Sequence, residues 1–162
     1  MPLREHKKDF KLNYKFDRQD NLITESMSAM NTGFGITYVL PILVAVLSAK
    51  KDALILIENP EAHIHPKGQA VLMKLIAKAV HAGIQVVIET HSDHIVNGSL
   101  VAVNQDLINK EELSLYFFDR DEHKHVAKAH QLHVEEDGHI HPAPPMNFFD
   151  QIEIDLRTLA GF

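Results

Sequence analysis

An acidic side chain follows a short apolar run near the middle of the chain. The run extends from Ala53 to Ile57, and Glu58 comes directly after it. Its uniformly apolar character predicts a strand covered on both faces. Ligands gather at the carboxyl ends of parallel strands, and a phosphate-bound magnesium ion takes oxygen ligands there. Glu58 is therefore a candidate magnesium ligand, and the alternative is that it only occupies a strand-end turn.

A second apolar run follows further along the chain and also ends in polar residues. Ile84–Ile88 predicts this strand, and Glu89–Ser92 emerges from its carboxyl end. Between the two strands, Pro66 suits the first turn of a helix and Gly83 suits its end. The order strand, helix, strand predicts a parallel sheet and an α/β fold with flanking helices.

The segments before this unit contain one predicted strand and one predicted helix. Residues from Phe10 to Phe16 alternate between apolar and polar, which is typical of a half-buried strand. A segment rich in serine and glycine, Ser26–Gly35, precedes an apolar stretch from Ile36 to Ala49. We expect this stretch to be a buried helix kinked at Pro41.

The C-terminal part predicts a small strand pair followed by a helix. The two strands are expected at Leu113–Phe118 and His125–Val134, joined through Asp119–Glu122. Apolar residues recur at helical spacing within Phe148–Leu159.

The composition and charge of the chain argue against several classes of protein. The chain has 162 residues, 45% of them hydrophobic, and a net charge of −6, which does not favour non-specific binding to nucleic acid. The apolar run Val39–Leu47 is too short to span a bilayer. A charged N-terminus and the absence of cysteine argue against secretion and disulfides, so we expect a cytoplasmic protein. Residues 1–25 are locally basic and are expected to form a strand or arm.

Histidines provide a hypothesis from another class of protein. The chain has 12 of them, several in close pairs beside acidic residues, as in metal sites. A metallohydrolase could use the pairs His63 and His65, His91 and His94, His123 and His125, and His139 and His141. The last two pairs lie in polar, surface-like segments, where a solvated histidine is the commoner case.

Four motifs in order resemble those of one ATPase family. LILIENPEAHIHP, from Leu54 to Pro66, resembles the Walker B and D-loop segment of ABC/SMC-like ATPases related to the OLD (overcoming lysogenization defect) proteins. Thr90–Ser92 resembles their switch-histidine loop, and Asn31–Gly35 resembles their signature region. The segments Gly138–Pro142 and Asn147–Gln151 are similar to a C-terminal domain of unassigned function found on prokaryotic AAA-labelled ATPases.

The resemblance implies ATP and Mg²⁺ as cofactors and a role for each matched residue. Glu58 would hold Mg²⁺, directly or through water, and His91 would contact the γ-phosphate of ATP. His91 could otherwise be a histidine that caps a strand end. The residues of the signature-like region would bind nucleotide across a dimer, with glycines allowing close backbone approach: Asn31, Thr32, Gly33, Phe34 and Gly35.

Two departures from the family pattern affect the expected activity. Family members place a glutamate after the Walker B acid to position the attacking water, whereas this chain has Asn59. Either Glu61 replaces that base, or Asn59 only orients the water, or hydrolysis is slow. In addition, none of the seven glycines is followed by lysine, so the GxxxxGK[ST] phosphate-binding loop is absent from this sequence.

We therefore expect the C-terminal lobe of an ABC-type ATPase head, with a basic arm (1–25), an ATPase lobe (26–112) and C-terminal strands and helix of the same domain (113–162). ATP hydrolysis would require a partner chain or N-terminal half that carries Walker A. The resemblance implies a dimer, no membrane, and an effector acting on nucleic acid or in phage defence. The alternative is a non-catalytic assembly module that docks through Phe148–Phe149 and the basic arm.

Overall fold

Two parallel strands joined by a helix form the centre of the protein. The computed structural model describes residues 13–14, 27–28, 34–121, 124–145 and 147–161. Strand β3 (Leu54–Glu58) lies beside strand β4 (Gln85–Glu89) in parallel. Helix α2 (Pro66–His81) connects them. The predicted strand, helix, strand unit and its parallel pairing are confirmed.

The ends of α2 are set by residues that act locally. Pro66 occupies the first turn, where its missing N–H costs no hydrogen bond. The His65 ring accepts a hydrogen bond from the backbone N–H of Lys67 at 3.3 Å. Gly83, with φ +90°, then turns the chain towards β4. These two residues set where α2 begins and where it ends.

The core lies between α2 and one face of the strand pair. Leu72, Met73 and Ile76 of α2 are buried, and they pack with Ile57 of β3. Helix α3 (Asp93–Asn104) packs along α2. Burial of such side chains stabilises the fold by about 1.5–3 kcal/mol each relative to exposure.

The other face of the strand pair is open, so the prediction of a strand covered on both faces is wrong for the described part of the chain. Leu54 is 57% exposed, Leu56 70% and Val87 51%. Successive residues of a strand point to opposite faces, and the described helices cover only the face that carries Ile57. The result is an exposed apolar surface beside the carboxyl ends of β3 and β4.

Helix α1 (Phe34–Ser48) continues through Pro41. The expectation of a buried helix is wrong here as well, because only Val46 is buried and Leu47 is 71% exposed. One side of α1, including Ile42 and Leu43, packs against the core. Its opposite side, with Val44, is exposed.

The C-terminal part is an antiparallel pair of strands followed by a helix, as the sequence predicts. Strand β5 (Leu115–Arg120) pairs with β6 (Ala127–Leu132), after a short 3₁₀ helix at Lys110–Glu112. Helix α4 (Gln151–Ala160) is exposed along its whole length. No helix in the described residues is long and apolar enough to cross a membrane.

A turn after β6 attaches the C-terminal part to α3. Gly138 has φ +79°, and a Cβ at this position would lie 2.5 Å from the Leu100 carbonyl oxygen. The side-chain amide of Asn104 donates to the Asp137 carbonyl at 2.9 Å. This close approach requires glycine at position 138.

Two short strands from the N-terminal region are also described. Strand β1 (Asn13–Tyr14) pairs antiparallel with β2 (Met27–Ser28). The predicted strand from Phe10 to Phe16 is confirmed at those two residues. The remaining residues of the basic arm lie outside the described residues, so that prediction stays a prediction.

Candidate functional site

Two acidic residues are paired at the carboxyl edge of the parallel strands. Glu58 ends β3 and Glu89 ends β4, and the two residues are directly opposite in the strand register. Both are exposed, on the open face that also carries Leu56 and Val87. Mg²⁺ is usually held by one or two carboxylates together with substrate phosphates and waters, so these two acids are candidate ligands.

Sequence reasoning did not select Glu89 as a site residue. The sequence nevertheless contains the same pattern at both positions, since Glu89 ends the second apolar strand just as Glu58 ends the first. What the pattern did not provide was the register, which alone determines that these two carboxylates are neighbours.

His91 lies next to this pair. Its Nε2 is 3.2 Å from Oε1 of Glu89, and the two side chains are 82% and 52% exposed. Contacts between such exposed groups contribute about 0–1 kcal/mol. The imidazole is therefore held only weakly, and a phosphate oxygen could replace Glu89 as its partner.

Asn59 makes the turn that follows β3. Its φ is +48°, in the left-handed region, where asparagine is enriched among residues other than glycine. Its backbone N–H donates to the Glu89 carbonyl at 3.0 Å, and its own carbonyl accepts from the Ala62 N–H at 3.1 Å. Pro60, which follows it, is fully buried. The left-handed backbone of this turn therefore explains why an asparagine suits the position after Glu58.

Glu61 joins the segment after β3 to the loop after β4. Its Oε2 accepts a hydrogen bond from the Thr90 hydroxyl at 2.7 Å. Its Oε1 accepts from the His91 backbone N–H at 2.8 Å. The Thr90 hydroxyl oxygen in turn accepts from the Ser92 N–H at 3.0 Å. Both carboxylate oxygens of Glu61 are therefore engaged with the loop.

A second connection runs from this loop to α2. Gln69 is buried, with 7% of its surface exposed, and its Nε2 donates to the Ile64 carbonyl at 2.9 Å. Its Oε1 accepts from the Ser92 hydroxyl at 2.6 Å. Ser92 precedes the first residue of α3, yet its side chain does not cap that helix. Burying a glutamine costs little when its amide is paired in this way.

The first turn of α1 lies against the segment after β3. The Tyr38 and His63 rings are 4.6 Å apart, and those of Phe34 and His63 are 5.9 Å apart. A Cβ at Gly35 would be 2.6 Å from the His63 carbonyl oxygen. Gly35 thus allows α1 to approach the backbone of His63, whereas the family resemblance implied a close approach to nucleotide. The other residues of the signature-like region, Asn31 to Gly33, lie outside the described residues.

A groove of about 340 Å³ runs between α1 and β3 and reaches the strand ends. Tyr38 and Ile42 line its α1 side, and Glu58, Asn59 and Pro60 line its other end. The groove therefore extends from Glu58 at the end of β3 along the middle of α1.

The histidine pairs do not assemble a metal centre within the described ranges. These residues contain no group of three or more His, Cys, Asp or Glu side chains that could hold a metal ion. His123 lies outside them. The metallohydrolase hypothesis therefore gains no support from the geometry of the remaining pairs.

Two groups in the C-terminal part, Asp137 and Lys128, have shifted pKa values. The backbone N–H of His139 donates to the Asp137 carboxylate and lowers its pKa below the usual range. Asp121 raises the pKa of Lys128, to which it is paired at 2.9 Å. Both groups lie on or beside the β5–β6 pair, and neither belongs to the strand-end site.

Comparison with known protein families covers both parts of the chain. Residues 108–159 match the model of a family described as a protein of unknown function (DUF3696). No curated protein and no solved structure gives a significant match to the chain. Residues 3–96 match the model of the AAA ATPase domain, a family that generally uses nucleotide and Mg²⁺. This match extends over more than half of the chain and includes both strand ends and the segments that follow them, so the protein belongs to the AAA ATPase domain family.

Proposed function

We propose that this protein is the ATP-binding and hydrolysis half-module of an ABC/SMC-like ATPase, completed by a Walker A loop from another segment or chain. One observation carries the proposal. In a member of the AAA ATPase domain family, Glu58, Glu89 and His91 gather at the carboxyl edge of a parallel strand pair. Ligands of open α/β sheets bind at this edge.

Each of these residues has a role in the proposed site. Glu58 holds Mg²⁺, directly or through water, with Glu89 as the neighbouring oxygen donor. His91 exchanges its contact with Glu89 for one with the γ-phosphate. Asn59 orients the attacking water without accepting its proton, so hydrolysis is slow unless another group accepts it.

The rest of the site comes from outside this half-module. A phosphate-binding loop supplies the backbone amides and lysine that hold the phosphates. The segment Asn31–Gly35 contacts nucleotide bound by a second copy or a related subunit, at the N-terminal end of α1. Nucleotide-dependent dimerisation then controls an effector, of which an enzyme acting on nucleic acid is the kind the family resemblance implies.

The test uses Mn²⁺ in place of Mg²⁺, because this paramagnetic ion reveals weak binding by broadening nearby NMR signals. The chain is titrated with Mn-ATP, and the broadening is compared in the unmodified protein and in Glu58→Gln. We expect the amide signals of Glu58, Asn59, Glu61 and residues 89–92 to broaden selectively in the unmodified chain only. Glu111→Gln, at an exposed acid of the short 3₁₀ helix, is the matched control and retains the effect.

Calorimetry with Mg-ATP provides the second part of the test. We expect negligible heat at micromolar concentrations, since the phosphate-binding loop is absent from this sequence, and measurable binding after a Walker A-bearing chain is added. Broadening that is unchanged in Glu58→Gln, or that is centred away from the strand ends, would show that the proposed site is wrong.

Exposed apolar surface supports a second candidate function, that of an assembly module without catalysis. Leu54, Leu56 and Val87 are exposed on the open sheet face, and Leu156 and Leu159 are 61% and 84% exposed on α4. Sedimentation of the chain with its Walker A-bearing partner, with and without ATP, distinguishes the two functions. Equal association with and without nucleotide would favour assembly alone.

A further inference from the structure

The loop that carries His91 is attached at two points to the segment and helix that follow β3. Glu61 binds the Thr90 hydroxyl and the His91 N–H, and Gln69 binds the Ser92 hydroxyl. Glu61 is 30 residues away from His91 in sequence. These bonds therefore connect two parts of the site that the backbone does not connect locally.

Glu61 has the contacts of a residue that positions others. It is half-buried, and each of its oxygens accepts a short hydrogen bond from the Thr90–Ser92 loop. Hydrogen bonds to a carboxylate are roughly twice as strong as those between neutral groups. A general base must instead direct an oxygen at the attacking water.

We propose that Glu61 is a positioning residue that holds His91 at the strand ends, with Gln69 and Ser92 as the second attachment. Its catalytic consequence rests on the proposed function, whereas the attachment itself does not. The ring of His91 is exposed and weakly held, so its position depends on the backbone of the loop. Release of that backbone moves the imidazole away from Glu89 and from the place expected for the γ-phosphate.

Two substitutions at Glu61 separate positioning from base catalysis. In Glu61→Gln the amide oxygen can still accept from the His91 N–H, and the NH₂ group can donate to the Thr90 oxygen. In Glu61→Ala both contacts are lost. If Glu61 is a positioning residue, Glu61→Gln should retain part of the ATP hydrolysis that Glu61→Ala loses. If Glu61 is a general base, both variants should lose hydrolysis equally, because neither side chain accepts a proton.

The first experiment measures amide hydrogen exchange in the full chain without nucleotide. We expect Glu61→Ala to accelerate amide exchange at His91 by about tenfold to a hundredfold. This change corresponds to the loss of one hydrogen bond to a charged acceptor. Glu61→Gln should accelerate exchange at His91 by less than about tenfold, because at most the strength of a hydrogen bond between neutral groups is lost. Glu111→Ala is the control and leaves His91 unchanged.

Thr90 provides a second pair of variants that does not alter Glu61. Thr90→Val removes the hydroxyl that donates to Glu61 and should speed exchange at His91, whereas Thr90→Ser retains the hydroxyl and should preserve protection. This pair tests the same attachment if Glu61→Ala does not fold.

The outcomes distinguish this inference from the proposed function. Unchanged exchange at His91 in Glu61→Ala, or equal acceleration in the alanine and glutamine variants, overturns the inference. If exchange behaves as expected but Mn-ATP does not broaden the strand-end signals, the attachment stands and the nucleotide site is wrong. With nucleotide bound, broadening at His91 should persist in Glu61→Gln and weaken in Glu61→Ala.

Discussion

Substituting Gly35 with alanine should destabilise the protein by forcing α1 away from the segment after β3. The added Cβ would lie 2.6 Å from the His63 carbonyl oxygen. Ordinary carbon–oxygen contacts are about 3.3–3.6 Å, so roughly 0.7 Å of movement is needed. His63 has φ +59°, and its carbonyl belongs to a tight backbone turn that cannot rotate as a side chain does.

The magnitude follows from two opposing effects. Overpacking of this kind costs about 1–3 kcal/mol, whereas alanine in place of glycine favours a helix by about 1 kcal/mol. We therefore expect Gly35→Ala to lower the free energy of unfolding by about 1 kcal/mol. With an m-value of about 2 kcal/mol/M, the urea midpoint would fall by about 0.5 M.

Gly68→Ala is the matched control because Gly68 also lies in the first turn of a helix. Its added Cβ would lie 2.6 Å from Cγ2 of Ile64, a side-chain atom that can shift more easily than the backbone carbonyl of His63. The gain in helix propensity is similar in both variants, so the difference between their stabilities compares a clash with the backbone to a clash with a side chain. We expect Gly68→Ala to have the higher urea midpoint, and a midpoint for Gly35→Ala equal to or above it would refute this reasoning.

Three further predictions concern the core, the buried amide and the C-terminal turn. Ile76→Ala, at a position only 3% exposed, should cost about 2–5 kcal/mol in urea denaturation, whereas Ile76→Val should cost about 0.5–1.5 kcal/mol. An equal loss in both would contradict the packing described for α2. Gln69→Leu should destabilise by about 1–3 kcal/mol in thermal unfolding, because it leaves the Ser92 hydroxyl without its acceptor and the Ile64 carbonyl without its donor. Gln69→Glu should not restore this stability, because a buried carboxylate would face the Ile64 carbonyl in place of the amide donor. Asp137→Asn tests the lowered pKa of Asp137: the carboxylate stabilises the folded state above its usual value of 3.8, and this contribution is lost as the pH falls through the lowered folded value. The stability difference between the two proteins should therefore shrink below pH 3.8, and a constant difference would show that the carboxylate charge is not involved.

Local signals in the sequence were sufficient for the main elements. Pro66 and Gly83 mark the ends of α2 because each residue has a restricted or unusual backbone conformation that acts without tertiary context. The turn at Asn59 has a similar local signal, since asparagine before proline favours a turn.

Burial could not be predicted from the same signals. An apolar strand such as Leu54–Glu58 is compatible with one or two covered faces, and the choice depends on what packs against it. The described helices cover one face and leave Leu56 exposed. The apolar sequence of α1 was misleading for the same reason.

The sequence alone determined the order of elements, the parallel strand pair and the position of Glu58 at a strand end, because these follow from local periodicity and from the connection through α2. The tertiary structure decided that Glu89 lies beside Glu58 and that Glu61 binds the loop carrying His91. Register and packing set those neighbours, and both depend on contacts between residues far apart in the chain. A periodic pattern specifies which face a residue occupies, whereas the partner of a polar side chain depends on the three-dimensional arrangement of separate segments.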